Sequence, residues 1–251
     1  MRGQRMTFQH LDNLKTKLDE YRPLPSAVVE NLHQELVLQW TYNSNAIEGN
    51  TLTLKETKVA LEGITIGGKT LREHFEVINH REAILFVEGL VQKPSPLTEW
   101  NIKSIHKLVL KNIDHENAGR YRNVNVIIAG AEHKPPHFIK VAQEMEAFVA
   151  WCQTTAQTLH PVERAARVHA DFVKIHPFID GNGRTSRLLM NLELMKAGIP
   201  AAVLPVSRRL EYYETLDQAH VNADYEPFFK LISEVVEQSF EAYWWALGLK
   251  K

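Results

Sequence analysis

Apolar residues recur every three to four positions along most of this chain, and proline or glycine marks the intervals between those runs. Phe8, Leu11, Leu14 and Leu18 share one helical face, so the chain to about Tyr21 is predicted as an amphipathic helix. Arg22-Pro23-Leu24-Pro25 ends it. A second helix is predicted from Ser26 through Val29, Leu32, Leu36 and Trp40 to near Ile47, stopping where Gly49 can act as a C-terminal cap. Thr53 with Glu56 has the spacing of a capping box for a short helix to Glu62. Gly67-Gly68 reads as a turn. Helical period resumes over 71–91, is interrupted at Pro94-Ser95-Pro96, and returns after Thr98 as far as Ile113. Further helices are predicted at about 141–154, 161–175, 184–197, 208–219 and 227–247.

One segment breaks the pattern. Asn123-Val124-Asn125-Val126-Ile127-Ile128 is rich in β-branched residues, and Gly130 can turn the chain back toward Pro135-Pro136-His137-Phe138. A short β-hairpin is predicted over about 123–139, its prolines confining the second arm to an edge. The expected fold is therefore mainly α: a helical bundle with a small β-hairpin flap and an N-terminal helical arm. We divide it into an N-terminal helical region, 1–95, and a core, 96–251.

Composition narrows the class. Hydrophobic residues make up 44% of the 251 and charged residues 24%, the balance of a globular domain with a real core. The net charge of −1 carries no basic footprint for nucleic acid. A single cysteine, Cys152, permits no internal disulfide and suits a reducing compartment. The start has no apolar core like that of a signal peptide, and no run of eighteen apolar residues offers a membrane span. A cytoplasmic protein that binds neither membrane nor nucleic acid is expected.

The chemistry concentrates in His176-Pro177-Phe178-Ile179-Asp180-Gly181-Asn182-Gly183-Arg184-Thr185-Ser186-Arg187. Gly181 and Gly183 let backbone approach a ligand closely, and they lead into the helical run Leu188, Leu189, Leu192, Met195. A glycine-rich loop feeding a helix N-terminus offers N–H groups to an anion. Arg184 and Arg187, three apart, share a face at an end where the helix dipole disfavours cations. Anionic oxygens between them would resolve that conflict. Asp180 adds a carboxylate of the kind that holds Mg²⁺ beside phosphates. His176 adds an imidazole able to take a proton near neutral pH. Together these parts make a site for phosphoryl or nucleotidyl transfer. It is not a Walker loop, since no Gly-Lys-Ser/Thr follows the glycines.

This run resembles the signature of the Fic family, His-x-Phe-x-Asp/Glu-Gly-Asn-Gly-Arg-x-x-Arg, at every fixed position. The likeness extends through Leu188-Leu189-Met190-Asn191, Ala197-Gly198, Glu211-Tyr212-Tyr213 and the segment ending Pro135-Pro136-His137, over roughly 36–240. It is most similar to the branch that includes the animal endoplasmic-reticulum Fic enzyme, whose membrane anchor and helical repeats are not expected here. The resemblance implies a protein adenylyltransferase that moves AMP from ATP to a Ser, Thr or Tyr hydroxyl. In that role His176 is the general base and Asp180 holds Mg²⁺. The Gly181-Asn182-Gly183 amides and the Asn182 side chain line the phosphate cradle, and Arg184 and Arg187 bind the outer phosphates. Phe178 anchors the loop in the core. Tyr212 and Tyr213 match positions that wall the adenine, with ordinary helix packing as the other reading of either. His220 and Asn222 are both open as a polar contact to the base. Val126, Ile127 and Ile128 match the flap that pairs with a target as an added strand. Many relatives dimerise, so a homodimer is a further expectation.

Ser44-Asn45-Ala46-Ile47-Glu48-Gly49-Asn50 resembles the family's inhibitory motif, Ser/Thr-x-x-x-Glu-Gly/Asn. Placed N-terminal to a full signature, Ser44, Glu48 and Gly49 imply a built-in brake in which Glu48 pairs with Arg187. In some relatives a glutamate here orients water to remove AMP instead. Related kinases carry Lys in place of the second glycine, and Gly183 argues against that chemistry. The complete Gly-Asn-Gly-Arg-x-x-Arg run argues against a phosphocholine transferase on the same fold. Intact His176, Asp180 and Arg187 argue against an inactive interaction module.

Overall fold

The computed structural model describes residues 7–92 and 95–249; Pro94, part of the expected interruption, lies outside them. Among these residues the chain forms eleven α-helices and no strand. They are α1 (Gln9–Asp19), α2 (Ser26–Ile47), α3 (Leu54–Leu61), α4 (Leu71–Val91), α5 (Glu99–Val109), α6 (Val141–Gln153), α7 (Pro161–Ile175), α8 (Asn182–Lys196), α9 (Arg209–Val221), α10 (Glu226–Ser239) and α11 (Glu241–Ala246).

The caps are local and legible. Thr53, Thr70 and Thr98 each accept the N3 backbone N–H while the N3 side chain returns to the cap, so α3, α4 and α5 all begin with complete capping boxes. The helix expected to reach Ile113 stops at Val109, and Leu110–Ile113 continues as a turn. The long C-terminal helix divides at Phe240 into α10 and α11.

α8 is the central element. It packs against α7, α4, α5 and α2, and every residue from Arg184 to Leu194 is buried. A helix surrounded on all sides must satisfy its own polar groups. Asn191 does so by exchanging two hydrogen bonds with the Ala202 backbone, at 3.0 and 2.8 Å, and Glu193 accepts from Arg164 at 2.8 Å. The main core is continuous from Trp40 of α2 and Ile84 of α4 through Ile102 of α5 to Phe172 and Leu188. It therefore draws on both halves of the chain.

The expected hairpin is corrected. Residues 123–137 form an irregular loop with a local turn, the Ala131 amide donating to Ile128 O at 3.2 Å, and with several backbone groups bonded to side chains where a ladder was expected. Asn125 Oδ1 accepts from the Phe138 amide at 3.0 Å, and the Asp217 carboxylate accepts from the amides of Glu132 and His133 at 3.1 and 3.4 Å. Pro135 and Pro136 remove two donors that a ladder would need. Arg122 draws the two arms together, donating to Val124 O at 2.9 Å and to Pro136 O at 2.5 Å. Of the three residues expected to pair with a target, Ile127 is 91% exposed, while Val126 and Ile128 are half-buried.

No helix among the described residues is long and apolar enough to cross a membrane.

Candidate active site

His176 ends α7 in the left-handed region, with φ 50° and ψ 58°. A non-glycine residue held there is strained, and the surroundings fix it. Its carbonyl accepts from Arg122 Nε at 2.9 Å, and the Pro177 carbonyl accepts from the Arg122 amide at 2.9 Å. Burial pushes the imidazole pKa down to about 4, against the Val173 carbonyl, which raises it. The ring is therefore neutral at pH 7 and can accept a proton.

The loop that follows is fixed from within. Asn182 Oδ1 accepts from the Phe178 amide at 3.0 Å, and Asn182 Nδ2 donates to the Phe178 carbonyl at 2.9 Å. The side chain assigned to the phosphate cradle is thus spent on closing the loop. Phe178 is fully buried and stacks on His106 with centroids 3.5 Å apart. The Gly119 amide donates to His106 Nδ1 at 2.9 Å, which makes Nε2 the protonated nitrogen and the donor to Asp180 O at 2.8 Å. Gly181 sits at φ 77°, and a Cβ there would lie 3.2 Å from Val109 Cγ1. Thr185 N is the first amide of α8 bonded back into the turn, so the amides of Asn182, Gly183 and Arg184 have no intrahelical acceptor.

The charged groups around those amides all have partners. Arg187 is buried; its Nε donates to Ser44 Oγ at 2.9 Å, and its Nη2 donates to Ser44 O at 2.8 Å and to Glu48 Oε1 at 2.7 Å. Burial pulls the Arg187 pKa down, but the Glu48 carboxylate and the Tyr212 hydroxyl together outweigh it and the net direction is up. Glu48 is the last turn of α2, and Gly49 takes φ 100°, the conformation that lets the chain leave there. The same carboxylate lies over Gly183: a Cβ at that position would fall inside van der Waals contact with Glu48 Oε1 and 3.0 Å from its Cδ. Arg184 pairs with Asp180 Oδ1 at 3.2 Å and Glu76 Oε1 at 3.4 Å, while its Nε and Nη1 are buried without a hydrogen-bond partner. Asp180 also accepts from its neighbour Gly181 N at 2.6 Å and from Arg72 Nη2 at 2.5 Å. Burial alone would raise the Asp180 pKa, yet Arg184, the Gly181 amide and Arg72 hold it below the usual carboxylate range.

The expected adenine contacts separate. Tyr212 is buried, its hydroxyl 3.1 Å from His169 Nε2 and 3.4 Å from Arg187 Nη1, so it supports Arg187 and does not wall an open cleft. Tyr213 is partly exposed, and its hydroxyl donates to Ile47 O at 3.1 Å, capping the end of α2 beside Glu48. His220 Nε2 is committed to Ala170 O at 2.9 Å. Asn222, exposed at the end of α9, keeps its side chain on the surface. Arg72, Glu76, His106 and Arg122 were not singled out in the sequence. The i,i+4 spacing of Arg72 and Glu76 marks a paired helix face, but nothing local says that this face meets the loop after His176.

The chain is similar in sequence and fold to known proteins. Residues 96–194 match the sequence model of the Fic/DOC family. The chain is 39% identical over 238 residues to the Nematostella vectensis protein adenylyltransferase Fic, across 93% of this chain and 55% of that protein. The Drosophila grimshawi protein of the same name is 37% identical over 247 residues, across 95% of this chain and 50% of its own length. The chain thus spans about half the length of the curated relatives it matches. Among solved structures, a Fic domain containing signaling protein from Bacteroides thetaiotaomicron superposes with TM-score 0.88 at 30% identity, across 95% of this chain and 97% of that one. C. elegans Fic-1 superposes with TM-score 0.86 at 35% identity, across 96% and 72%.

Proposed function

Because this chain belongs to the Fic/DOC family, we propose that it transfers AMP from ATP to a hydroxyl group of a protein, itself included, and that Glu48 restrains the reaction. The observation that carries this reading is the seat of Glu48. Its carboxylate binds Arg187 and covers Gly183 at the open N-terminus of α8.

In the transfer, His176 takes the proton of an incoming Ser, Thr or Tyr hydroxyl. The oxygen forms a bond to the α-phosphorus as the bond to the bridging oxygen breaks, and pyrophosphate leaves with the electron pair. The open amides of Asn182, Gly183 and Arg184 supply donors for developing charge on phosphate oxygens. Arg184, whose buried Nε and Nη1 make no hydrogen bond and whose Nη1 only ion-pairs with Glu76 at 3.4 Å, has unspent donors for a phosphate. Asp180, a carboxylate of the loop itself beside an anion cradle, fits Mg²⁺, which takes one or two carboxylates and completes its shell with phosphate oxygens and water. When bound, the ion would neutralise charge on the triphosphate. With Glu48 on Arg187, a guanidinium suited to the outer phosphates is occupied, and a nucleotide binds out of line for attack.

The seat of Glu48 over Gly183, in the loop that follows His176, favours a second reading for the same residues. Glu48 would orient water onto the α-phosphorus of an AMP-bearing protein and take its proton as the new P–O bond forms. The bond to the protein's side-chain oxygen would break as a protonated His176 gives its proton to that oxygen, leaving AMP and the free hydroxyl. Incubation with labelled ATP and Mg²⁺, followed by mass spectrometry of the intact protein, tests the first reading. A gain of AMP mass that grows in Glu48→Gly and vanishes in His176→Ala supports it; a gain of phosphate mass, or no gain in any form, refutes it. The protein target, Ile127 and its neighbours as a docking strip, and Tyr213 and Asn222 as adenine contacts belong to the same proposal.

A further inference from the structure

The structure holds a closed ring of four charges at the mouth of the candidate site. Arg72 Nη2 donates to Asp180 Oδ2 at 2.5 Å, and Arg72 Nε donates to Glu76 Oε1 at 3.2 Å. Arg184 meets the same Glu76 oxygen at 3.4 Å and Asp180 Oδ1 at 3.2 Å. Both carboxylate oxygens of Asp180 therefore face a guanidinium. One of these, Arg184, is buried and belongs to the loop; the other, Arg72, comes from α4 and is more than half exposed along its side chain.

That difference assigns the roles. Arg184 stays where it is, because α8 is buried around it. Arg72 can leave at little cost, because its side chain is more than half exposed and keeps Glu76 as a partner four residues along the same helix. A divalent cation needs an oxygen of Asp180, and the outward oxygen, Oδ2, is the one Arg72 holds. We propose that Arg72 competes with the divalent cation for Asp180, so that metal-loaded nucleotide enters only by displacing a guanidinium. This rests on the nucleotide-site reading above. It is separate from the Glu48 contact, which blocks Arg187 and leaves Asp180 untouched. In the ligand-free protein each charged group of the loop thus has its own protein partner: Glu48 for Arg187, Glu76 for Arg184, Arg72 for Asp180.

Calorimetric titration with the ATP analogue AMPPNP tests the assignment on the full chain and Arg72→Ala, both carrying His176→Ala so that the cleavable α–β bridge of AMPPNP stays intact, in EDTA and over a series of Mg²⁺ concentrations. A thermal melt of each form verifies folding, which an exposed helix position leaves intact. Loss of a partly exposed ion pair should lower the half-saturating Mg²⁺ concentration about two- to fivefold. Affinity in EDTA should stay equal or weaken, since Asp180 then faces the phosphates with one cation fewer. Arg72→Glu, which offers the ion a second carboxylate, should lower the Mg²⁺ requirement at least as far. An unchanged Mg²⁺ requirement in Arg72→Ala overturns the proposal. So does weaker binding at saturating Mg²⁺, which would make Arg72 a phosphate ligand, or equal tightening with and without Mg²⁺. Failure of every form to bind AMPPNP under either condition would instead sink the nucleotide-site reading, and this inference with it.

Discussion

Replacing Glu48 should make this protein faster and less stable at once. Its carboxylate bonds a buried guanidinium at 2.7 Å, while Arg187 keeps two further bonds to Ser44. A hydrogen bond to a charged group contributes about 1.5–3 kcal/mol, and the low end applies because about a third of the Glu48 side chain is exposed. Glu48→Gly therefore releases about 1.5 kcal/mol of restraint, roughly a tenfold shift toward the open arrangement. The initial rate of self-modification with labelled ATP should rise by about that factor. Glu48→Gln keeps a neutral acceptor and should give an intermediate rise, roughly threefold. The same 1.5 kcal/mol is lost from the ligand-free fold, because Arg187 stays buried with one acceptor fewer. For a chain of this size that lowers Tm by about 3–6 °C, and saturating ATP should restore part of the loss by linkage. A Glu48→Gly rate no higher than wild type would refute the reasoning, as would a Gln variant faster than the Gly variant.

Three further outcomes follow from the site. His176→Ala should abolish AMP transfer while AMPPNP affinity, read by calorimetry, is retained; residual transfer at the wild-type rate removes the base assignment. Gly183→Ala should push Glu48 back by about an ångström, since a Cβ 3.0 Å from Cδ lies inside the ordinary carbon contact distance. It should lower Tm in the wild-type background and much less in Glu48→Gly, and equal losses in both backgrounds would contradict the contact. Stability should also fall with acid. Burial holds His80, His106, His169 and His176 below their usual pKa, His106 and His176 at about 4. The unfolded chain binds protons near pH 6.5 that the folded chain refuses, so stability present above that pH is lost progressively toward pH 4. At pH 5 His106 and His176 each cost about 2 kcal/mol. Melting at pH 5, 6, 7 and 8 should show Tm dropping below pH 6.5 and no contribution from these groups above it; a flat profile from 5 to 7 would count against buried neutral imidazoles.

Most of the helices could be read from the chain because their signals are local. Thr53, Thr70 and Thr98 each carry their cap partner three residues on. The loop after His176 was legible for another reason: its glycines, arginines and carboxylate fall within a dozen residues, so no tertiary information is needed to gather them. One reading failed, and one pair of neighbours separated, where long-range geometry decides. The β-branched run at 124–128 was expected to pair with a second arm, but Arg122, Asn125 and Asp217 supply the bonds that a ladder would have supplied. Tyr212 and Tyr213 look alike in sequence, yet one lies beneath Arg187 and the other caps α2, because adjacent helical positions point about 100° apart. Arg72 and Glu76 went unremarked since an i,i+4 ion pair is ordinary on any helix, and only the crossing of α4 over α8 gives it meaning.

The bidentate clasp of Asn182 on Phe178 has a kinetic consequence. The loop's shape is set when the chain folds, not when a ligand arrives, so nucleotide association should carry little loop-ordering entropy. What must still move are the Glu48 carboxylate and the Arg72 guanidinium, both partly solvated side chains on helix surfaces. Rotamer changes of exposed side chains occur in picoseconds to nanoseconds. The entry step should therefore approach the encounter rate, leaving any slow phase to events after binding.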